Sequence, residues 1–297
     1  MIAESDTRGG SNAWNDSLLD GLALSMAALP PMPEDWEDTR ATLHAYAHAA
    51  SALPRALITA HDKYWHQAMT VEPDGLTTKP IPFAEGGSAT VRMDLNTNEV
   101  VLETDGGFAR TWPMNDGLSA TKLGDDLIAA AAELGLDAEY DRERFENDEP
   151  RSYDPEAAAA FYELLQAVVA VLEEHREGLD GEVSPIQLWP HGFDLSFEWF
   201  GSRVEQYEED GKTVEYPSQL NLGFYPAGDP YFYSNPWPFD AEDLIDKPLP
   251  DGSEWYVEDW NGTKLPYREM IDDPTATDRL LDFARRVFAI VEPTLTR

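Results

Sequence analysis

Residues 155–199 contain the clearest helix and the clearest strand in the chain. The first part reads PEAAAAFYELLQAVVAVLEEHREG (155–178) and the last part reads FDLSFEW (193–199). From Phe161 to Leu172, apolar side chains recur every three or four positions, which is the spacing of one helical face. Residues 193–199 instead alternate apolar and polar side chains, as a strand with one buried face does. The sequence therefore predicts a helix that begins at Pro155 and a strand over 193–199.

A similar order of elements precedes this region. A helix is predicted to begin near residues 35–38, where two acids suit a first turn, and Pro54 is expected to kink or end it. The alternation over 64–71 predicts a strand, residues 89–104 predict a hairpin, and residues 122–135 predict a second helix.

The remainder of the second half continues the pattern. Residues 219–233 predict a strand pair that turns around Pro226-Ala-Gly228, and residues 276–291 predict a final helix. Two acidic segments, 203–217 and 239–262, are predicted to be long surface loops.

Helix, strands and helix thus occur twice at similar spacing. We predict an α+β fold of two similar halves, 29–150 and 151–297, with a mainly antiparallel sheet and an internal duplication. The halves are expected to pack as one globular unit, after a flexible or weakly helical N-terminal arm over 1–28. Whether they pack sheet to sheet or share one sheet, a cleft is expected near their junction.

The charge of the chain is strongly unbalanced. The sequence has 57 Asp and Glu against 21 Lys and Arg, a formal net charge of -36, and only 6 of the basic residues are Lys. Such a surface repels itself at ordinary ionic strength, and molar salt shortens the screening length to about 3 Å. Because the acids occur in nearly every segment, the sequence favours a halophilic protein with an acidic surface over an ordinary acidic protein.

Composition also disfavours several classes of function. We find no basic stripe of the kind that binds nucleic acid or an anionic membrane. The sequence has no Cys, so disulfides, thiolate nucleophiles and Cys-ligated metals are excluded. Without a basic segment at the N-terminus, we expect a cytoplasmic protein.

Short motifs along the chain occur together in one family. They include Trp36-x-x-Thr39, His61-x-x-Tyr-Trp65-His66, Gly75-Leu-Thr-Thr-x-Pro80, Ser152-Tyr-Asp154-Pro155, Gly192-Phe-Asp194-Leu195, Gly223-Phe-Tyr-Pro226 and Tyr231-Phe-Tyr233-Ser234. With these motifs the chain resembles an uncharacterised family, domain of unknown function 5996, over about residues 30–292. The resemblance implies cytoplasmic bacterial or archaeal relatives and an α+β fold. Since the family has no established activity, it implies no mechanism.

Three residues are candidates for catalysis. His66 lies in the predicted strand of the first half, and His191 and Asp194 lie at the corresponding strand of the second half. A His with a carboxylate is the minimum for proton transfer near neutral pH. We expect His66 to act as acid or base and Asp194 to be its partner, while a structural His and a solvent-facing acid are the alternative.

Aromatic residues are the candidates for ligand binding. Trp65, Trp189, Tyr233 and Trp237 are predicted to line the walls of the cleft, since aromatic walls with a few polar tips are typical of small-molecule sites. The alternative is a buried core, where Trp and Tyr supply large apolar area.

Metal and cofactor chemistry have weaker support. His44 and His48 are one helical turn apart and are weak candidates for a divalent metal, without the H-E-x-x-H pattern of zinc proteases. No dinucleotide-binding, P-loop or serine-hydrolase motif occurs in the sequence, so no cofactor is assigned.

The leading hypothesis is a small-molecule binding protein or enzyme with an aromatic-lined cleft between the halves. A non-catalytic interaction or scaffold protein is the alternative, and a His-ligated metal protein is a weaker one. The sequence leaves the ligand, the reaction and the oligomeric state open.

Overall fold

The computed structural model describes residues 28–115, 117–209 and 211–297. The N-terminal arm predicted over 1–28 falls outside these residues, apart from residue 28.

The four long helices form where the apolar periodicity predicts them: α1 (Glu37–Leu57), α2 (Ala120–Glu133), α3 (Pro155–Glu177) and α5 (Ala276–Leu295). The structure adds the short α4 (Ala241–Leu244) and 3-10 helices at Trp65–Gln67 and Tyr267–Met270, which were not predicted. The carboxylate of Asp154 accepts hydrogen bonds from the backbone N–H groups of Glu156 and Ala157, which caps α3 before Pro155. Pro54 lies in the last turn of α1, and the helix ends three residues later.

Thirteen strands form among the described residues. They are β1 (Met69–Glu72), β2 (Gly75–Thr78), β3 (Ile81–Pro82), β4 (Ser88–Asp94), β5 (Glu99–Thr104), β6 (Ala109–Pro113), β7 (Glu182–Val183), β8 (Gln187–Trp189), β9 (Asp194–Glu209), β10 (Lys212–Tyr225), β11 (Tyr231–Trp237), β12 (Glu254–Val257) and β13 (Asn261–Pro266).

All of these strands join one antiparallel sheet. Its order is β12-β13-β11-β10-β9-β8-β1-β2-β4-β5-β6, with β3 paired to β4 and β7 paired to β9. The two halves meet where β1 pairs with β8, at Met69 and Leu188. The α+β class and the antiparallel sheet are thereby confirmed, and the halves share one sheet. That they arose by duplication stays a prediction.

Three local predictions are wrong. The segment 239–262, predicted as a loop, contains α4, β12 and the first residues of β13. The strand predicted over 64–71 begins only at Met69, because Tyr64 adopts a left-handed conformation (φ 59°) and residues 65–67 form a 3-10 turn. Residues 203–209 and 212–217, predicted as part of a loop, are instead the paired outer part of β9 and β10. Glu208 and Glu215 face solvent on this two-stranded ribbon, and its apolar residues are too few to indicate a strand from the sequence.

The second half of the sheet has one apolar and one polar face. Leu195, Phe224 and Phe232 lie side by side on neighbouring strands and are fully buried. Helices α3 and α5 pack on this face, where Phe288 of α5 contacts Trp199. By length and composition alone α3 is apolar enough to cross a membrane, but half of its most apolar window is buried in the protein, as in a core helix.

The opposite face of β8–β11 is polar. Ser196 pairs with Gly223, and Gly223 pairs in turn with Tyr233, so these three positions form one row across the strands. Glu198 and Asn221 form the next row. Since side chains alternate along a strand, the residues of both rows project from the same face, and this face forms the floor of the site described below.

Candidate functional site

A cleft of about 430 Å³ lies on the polar face of the sheet, next to the β1–β8 junction. We call it the junction cleft. Its lining comes from α1, the segment before β1, Arg144, the turn between β8 and β9, and strands β8–β11. The lining side chains are His48, Ser51, Arg55, Lys63, Tyr64, Gln67, Arg144, Trp189, Pro190, His191, Asp194, Ser196, Glu198, Asn221 and Tyr233.

A carboxyl–phenol pair forms part of the floor. The hydroxyl of Tyr233 donates a hydrogen bond of 2.5 Å to Oδ2 of Asp194. Burial raises the pKa of Asp194, while the hydrogen bond from Tyr233 and the nearby His191 act in the opposite direction. Burial and the adjacent negative charge raise the pKa of Tyr233 well above its ordinary value. Asp194 thus takes up a proton more readily than an exposed Asp, and Tyr233 keeps its proton.

His191 and Trp189 form the wall beside this pair. The indole N–H of Trp189 donates a hydrogen bond of 2.9 Å to Oγ of Ser196, which fixes the ring over the sheet. The imidazole of His191 lies edge-on to that indole, with 5.9 Å between the ring centroids. Because His191 is exposed, it has access to both solvent and the cleft.

A second carboxylate lies four residues along β9 from the first. Glu198 is buried, and its Oε2 accepts a hydrogen bond of 2.7 Å from the indole N–H of Trp65. Burial raises the pKa of Glu198, and the bond from Trp65 opposes this shift. At about 3.3 Å per residue, the Cα atoms of Glu198 and Asp194 are about 13 Å apart. The two carboxyl groups therefore serve different parts of the cleft.

Basic side chains form the opposite wall. Arg55 donates a hydrogen bond of 3.2 Å to the backbone oxygen of Asp141, and Arg144 contacts the Asp141 carboxylate at 3.2 Å. Lys63 pairs with Glu182 at 2.8 Å and lies 3.0 Å above the centroid of the Phe200 ring.

Two lining residues have buried polar atoms without a hydrogen-bond partner among the described residues. They are Nδ1 of His48 and Oδ1 of Asn221. Burial lowers the pKa of His48 to about 4, so its imidazole is neutral at physiological pH. Groups of this kind are left for a ligand or for ordered water to satisfy.

A smaller cavity of about 270 Å³ adjoins the junction cleft and shares His48 and Arg144 with it. His44 lines this cavity and stacks on His48, with 4.9 Å between the ring centroids. Burial also lowers the pKa of His44. Within the described ranges, no group of three or more His, Asp or Glu side chains is placed to hold a metal ion, so the structure adds no third ligand to His44 and His48.

The structure brings together part of the predicted site. Asp194, His191, Trp189 and Tyr233 all line the junction cleft, and so does His48. Sequence alternation placed Asp194 and Tyr233 on strands without indicating that they are hydrogen-bonded.

Three predicted residues lie elsewhere. His66 does not reach Asp194, because it belongs to the 3-10 turn, where it is buried and its Nδ1 accepts a hydrogen bond from the backbone N–H of His61. Trp65 lies behind Glu198 as its hydrogen-bond donor and is not a lining residue. Trp237 lies at the end of β11, where it packs against Tyr207 and Tyr216 on the outer β9–β10 ribbon.

Several lining residues were not predicted. Glu198 had a signal, since it shares the polar face of the predicted strand with Asp194. Arg55, Lys63, Arg144 and Asn221 had none, because they come from a helix end, two loops and a neighbouring strand that only the tertiary fold brings together.

Comparison with known proteins identifies the chain only at the level of a family. The family model described as Family of unknown function (DUF5996) matches residues 29–293. No curated protein and no solved structure matches the chain.

Proposed function

The chain belongs to the family of unknown function DUF5996, and we propose that it is a small-molecule binding protein or enzyme that uses the junction cleft. The observation that carries this proposal is the Asp194–Tyr233 pair, a hydrogen-bonded carboxyl and phenol at the floor of a cleft of about 430 Å³. A cleft of this volume suits a metabolite-sized ligand.

The chemistry of the floor supports a site that exchanges protons with its ligand. A carboxyl group whose pKa is raised by burial is a better general acid or base near neutral pH than an exposed one. Tyr233 holds one oxygen of Asp194 and leaves the other free of that bond. His191, exposed at the rim, offers a route for protons between Asp194 and solvent.

A ligand screen by thermal denaturation tests the proposal. A ligand at about 100 times its Kd stabilises the folded protein by about 2.7 kcal/mol, which is readily measured. We expect at least one small polar metabolite to raise the melting temperature of the wild-type protein, and Asp194→Asn and Tyr233→Phe to reduce that rise.

The matched controls are Asp259→Asn and Tyr256→Phe, because these side chains form the same kind of hydrogen bond, at 3.2 Å, outside the cleft. Both controls should keep the response. If no compound stabilises the protein, or if all four variants respond like the wild type, the cleft is not the binding site.

One observation favours the alternative, a non-catalytic interaction protein. Tyr207, Tyr216 and Trp237 form an aromatic group at the outer part of β9–β11, and both tyrosines are well exposed. Exposed aromatic residues are enriched at protein interfaces. We rank this alternative second, since it leaves the polar groups of the junction cleft without a role.

We further propose that the protein works in concentrated salt, in the cytoplasm. The support is the net charge of -36 and the placement of the acids: among the described carboxylates, those of Asp94 and Glu198 belong to buried residues, and that of Asp194 is enclosed in the floor of the cleft although the residue as a whole is half-buried. Exposed carboxylates in such numbers repel one another unless salt screens them.

A further inference from the structure

Two arginines differ from the other described arginines because they have no carboxylate partner. Within the described ranges, Arg55 and Arg151 alone among the arginines form no ion pair with a described carboxylate. Arg55 lines the junction cleft, and Arg151 lines the adjoining smaller cavity. In a chain with 57 acidic residues, partners for arginine are abundant. Both exceptions therefore lie at one place, around the two cavities that share Arg144 and His48.

The surroundings of Arg55 make its lack of a partner costly. Its guanidinium is half-buried, and burial and the positive charge of Arg144 both lower its pKa. A partly desolvated cation next to a like charge is unfavourable unless an anion compensates it. Asp141 accepts a hydrogen bond from Arg55 through its backbone oxygen only, because its carboxylate is paired with Arg144, and the charge of that carboxylate offsets part of the shift.

We propose that the ligand of the junction cleft carries an oxyanion, a carboxylate or a phosphate, which binds between Arg55 and Arg144. This inference rests on the proposed function, because it names the chemical class of the ligand for the same cleft. The planar guanidinium matches the geometry of carboxylate and phosphate oxygens and forms two parallel hydrogen bonds with them. Lys63 is already paired with Glu182 and contributes positive potential from the rim.

The site is also suited to concentrated salt. Exposed charges lose their attraction when the screening length falls to about 3 Å, whereas half-buried groups that touch their ligand are screened much less. Oriented hydrogen bonds from Arg55 thus retain selectivity for an oxyanion over chloride, which has no oxygens to match them.

Binding of inorganic phosphate and of matched organic probes tests the inference on the full chain. The titrations use calorimetry at a constant KCl concentration. The titrants are potassium phosphate and a set of small carboxylic acids, and each acid is compared with its neutral amide. We expect phosphate or the acids to bind and the amides to bind at least tenfold more weakly. If phosphate binds more tightly than the carboxylic acids, the ligand carries a phosphate. If the acids bind more tightly, the ligand carries a carboxylate.

Substitution then locates the anion. Arg55→Gln and Arg144→Gln should each weaken anion binding by about tenfold or more. Arg110→Gln is the matched control, because Arg110 is a partly exposed arginine that pairs with Glu133 away from the cleft, and it should bind like the wild type. If Arg55→Gln does not fold, the more exposed Arg144 gives the decisive variant, with folding checked by its melting curve.

The failures are distinguishable. If neutral compounds bind in a manner that depends on Asp194 while the anions do not, the inference is wrong and the proposed function stands. If Arg55→Gln and Arg144→Gln bind anions as tightly as Arg110→Gln does, the inference is also wrong. If neither the anions nor any compound of the ligand screen binds, both proposals are wrong.

Discussion

Tyr233 reaches Asp194 across Gly223, and a side chain at Gly223 would block that contact. Gly223 lies between the two on β10, and a Cβ atom placed on it would lie 2.7 Å from Cζ of Tyr233 and 2.4 Å from the backbone oxygen of Leu195. The phenol ring therefore occupies the space that a side chain on the middle strand would fill.

Gly223→Ala should displace Tyr233 and disrupt the floor of the cleft. Overpacking of this kind costs about 1–3 kcal/mol of stability. We expect a lower melting temperature and weaker binding of any ligand that Asp194 helps to hold. Gly106→Ala is the control, since its Cβ would meet only Oγ1 of Thr104, at 3.6 Å. Equal losses in the two variants would contradict this account of Gly223.

Asp194→Asn should make the protein more stable at neutral pH. Because burial raises the pKa of Asp194 in the folded protein, its contribution favours folding below the ordinary Asp pKa and is lost as the pH rises through the folded pKa. The amide carries no charge, so the free energy of unfolding of the variant should exceed that of the wild type by about 1–2 kcal/mol near pH 8 and by close to nothing near pH 3. Replacement of a functional residue often stabilises a protein in this way. Chemical denaturation at the two pH values measures the difference.

The control for this pH dependence is Asp259→Asn. Asp259 is exposed and accepts a hydrogen bond from Tyr256, so its substitution should change stability by less than about 0.5 kcal/mol. A wild-type protein more stable than Asp194→Asn near pH 8 would mean that the ionised carboxylate is favoured in the cleft.

Trp65→Phe should leave Glu198 as a buried carboxylate without its side-chain donor. Loss of this 2.7 Å bond should cost about 1–3 kcal/mol, since phenylalanine keeps an aromatic ring but has no N–H to donate. It should also raise the pKa of Glu198 further, because the bond from Trp65 lowers it. Trp255→Phe is the control, since Trp255 donates to the backbone oxygen of Lys247 outside the cleft.

A double substitution separates the hydrogen bond from the packing. If Glu198→Met is introduced with Trp65→Phe, both polar partners are removed, and we expect most of the lost stability to return. An additive loss in the double variant would show that Trp65 acts through packing alone.

The fold was predictable where local periodicity and burial agree. Helix α3 carries an apolar stripe and a capping Asp154, and β9 alternates from Asp194, so both could be placed from the sequence. The turn at Trp65–Gln67 could not, because Tyr64 adopts a conformation that is rare for residues other than glycine, and no local pattern indicates it.

The site was predictable only in its residue types. Asp194, His191, Trp189 and Tyr233 were candidates because their side chains suit proton transfer and ligand contact. Their partners depend on strand register: Tyr233 reaches Asp194 because β11 and β9 both pair with β10 at Gly223. The role of Arg55 was hidden for another reason, since the lack of a partner carboxylate is a property of the folded chain.

Concentrated salt should stabilise the protein. The exposed carboxylates repel one another in dilute buffer, and molar KCl screens that repulsion. We expect unfolding to cost at least about 3 kcal/mol more in about 3 M KCl than in about 0.1 M KCl, which corresponds to a rise in melting temperature of roughly 6–12 °C for a chain of this size.

A charge-reduced variant tests whether repulsion is the cause. Five exposed acids have no ion pair within the described ranges and can be changed to their amides together: Glu85, Asp137, Glu139, Glu163 and Glu258. The variant should be more stable than the wild type in dilute buffer and should gain less from KCl. If it gains as much, salt acts by strengthening apolar burial, as it does for proteins in general, and the net charge of -36 is not an adaptation to salt.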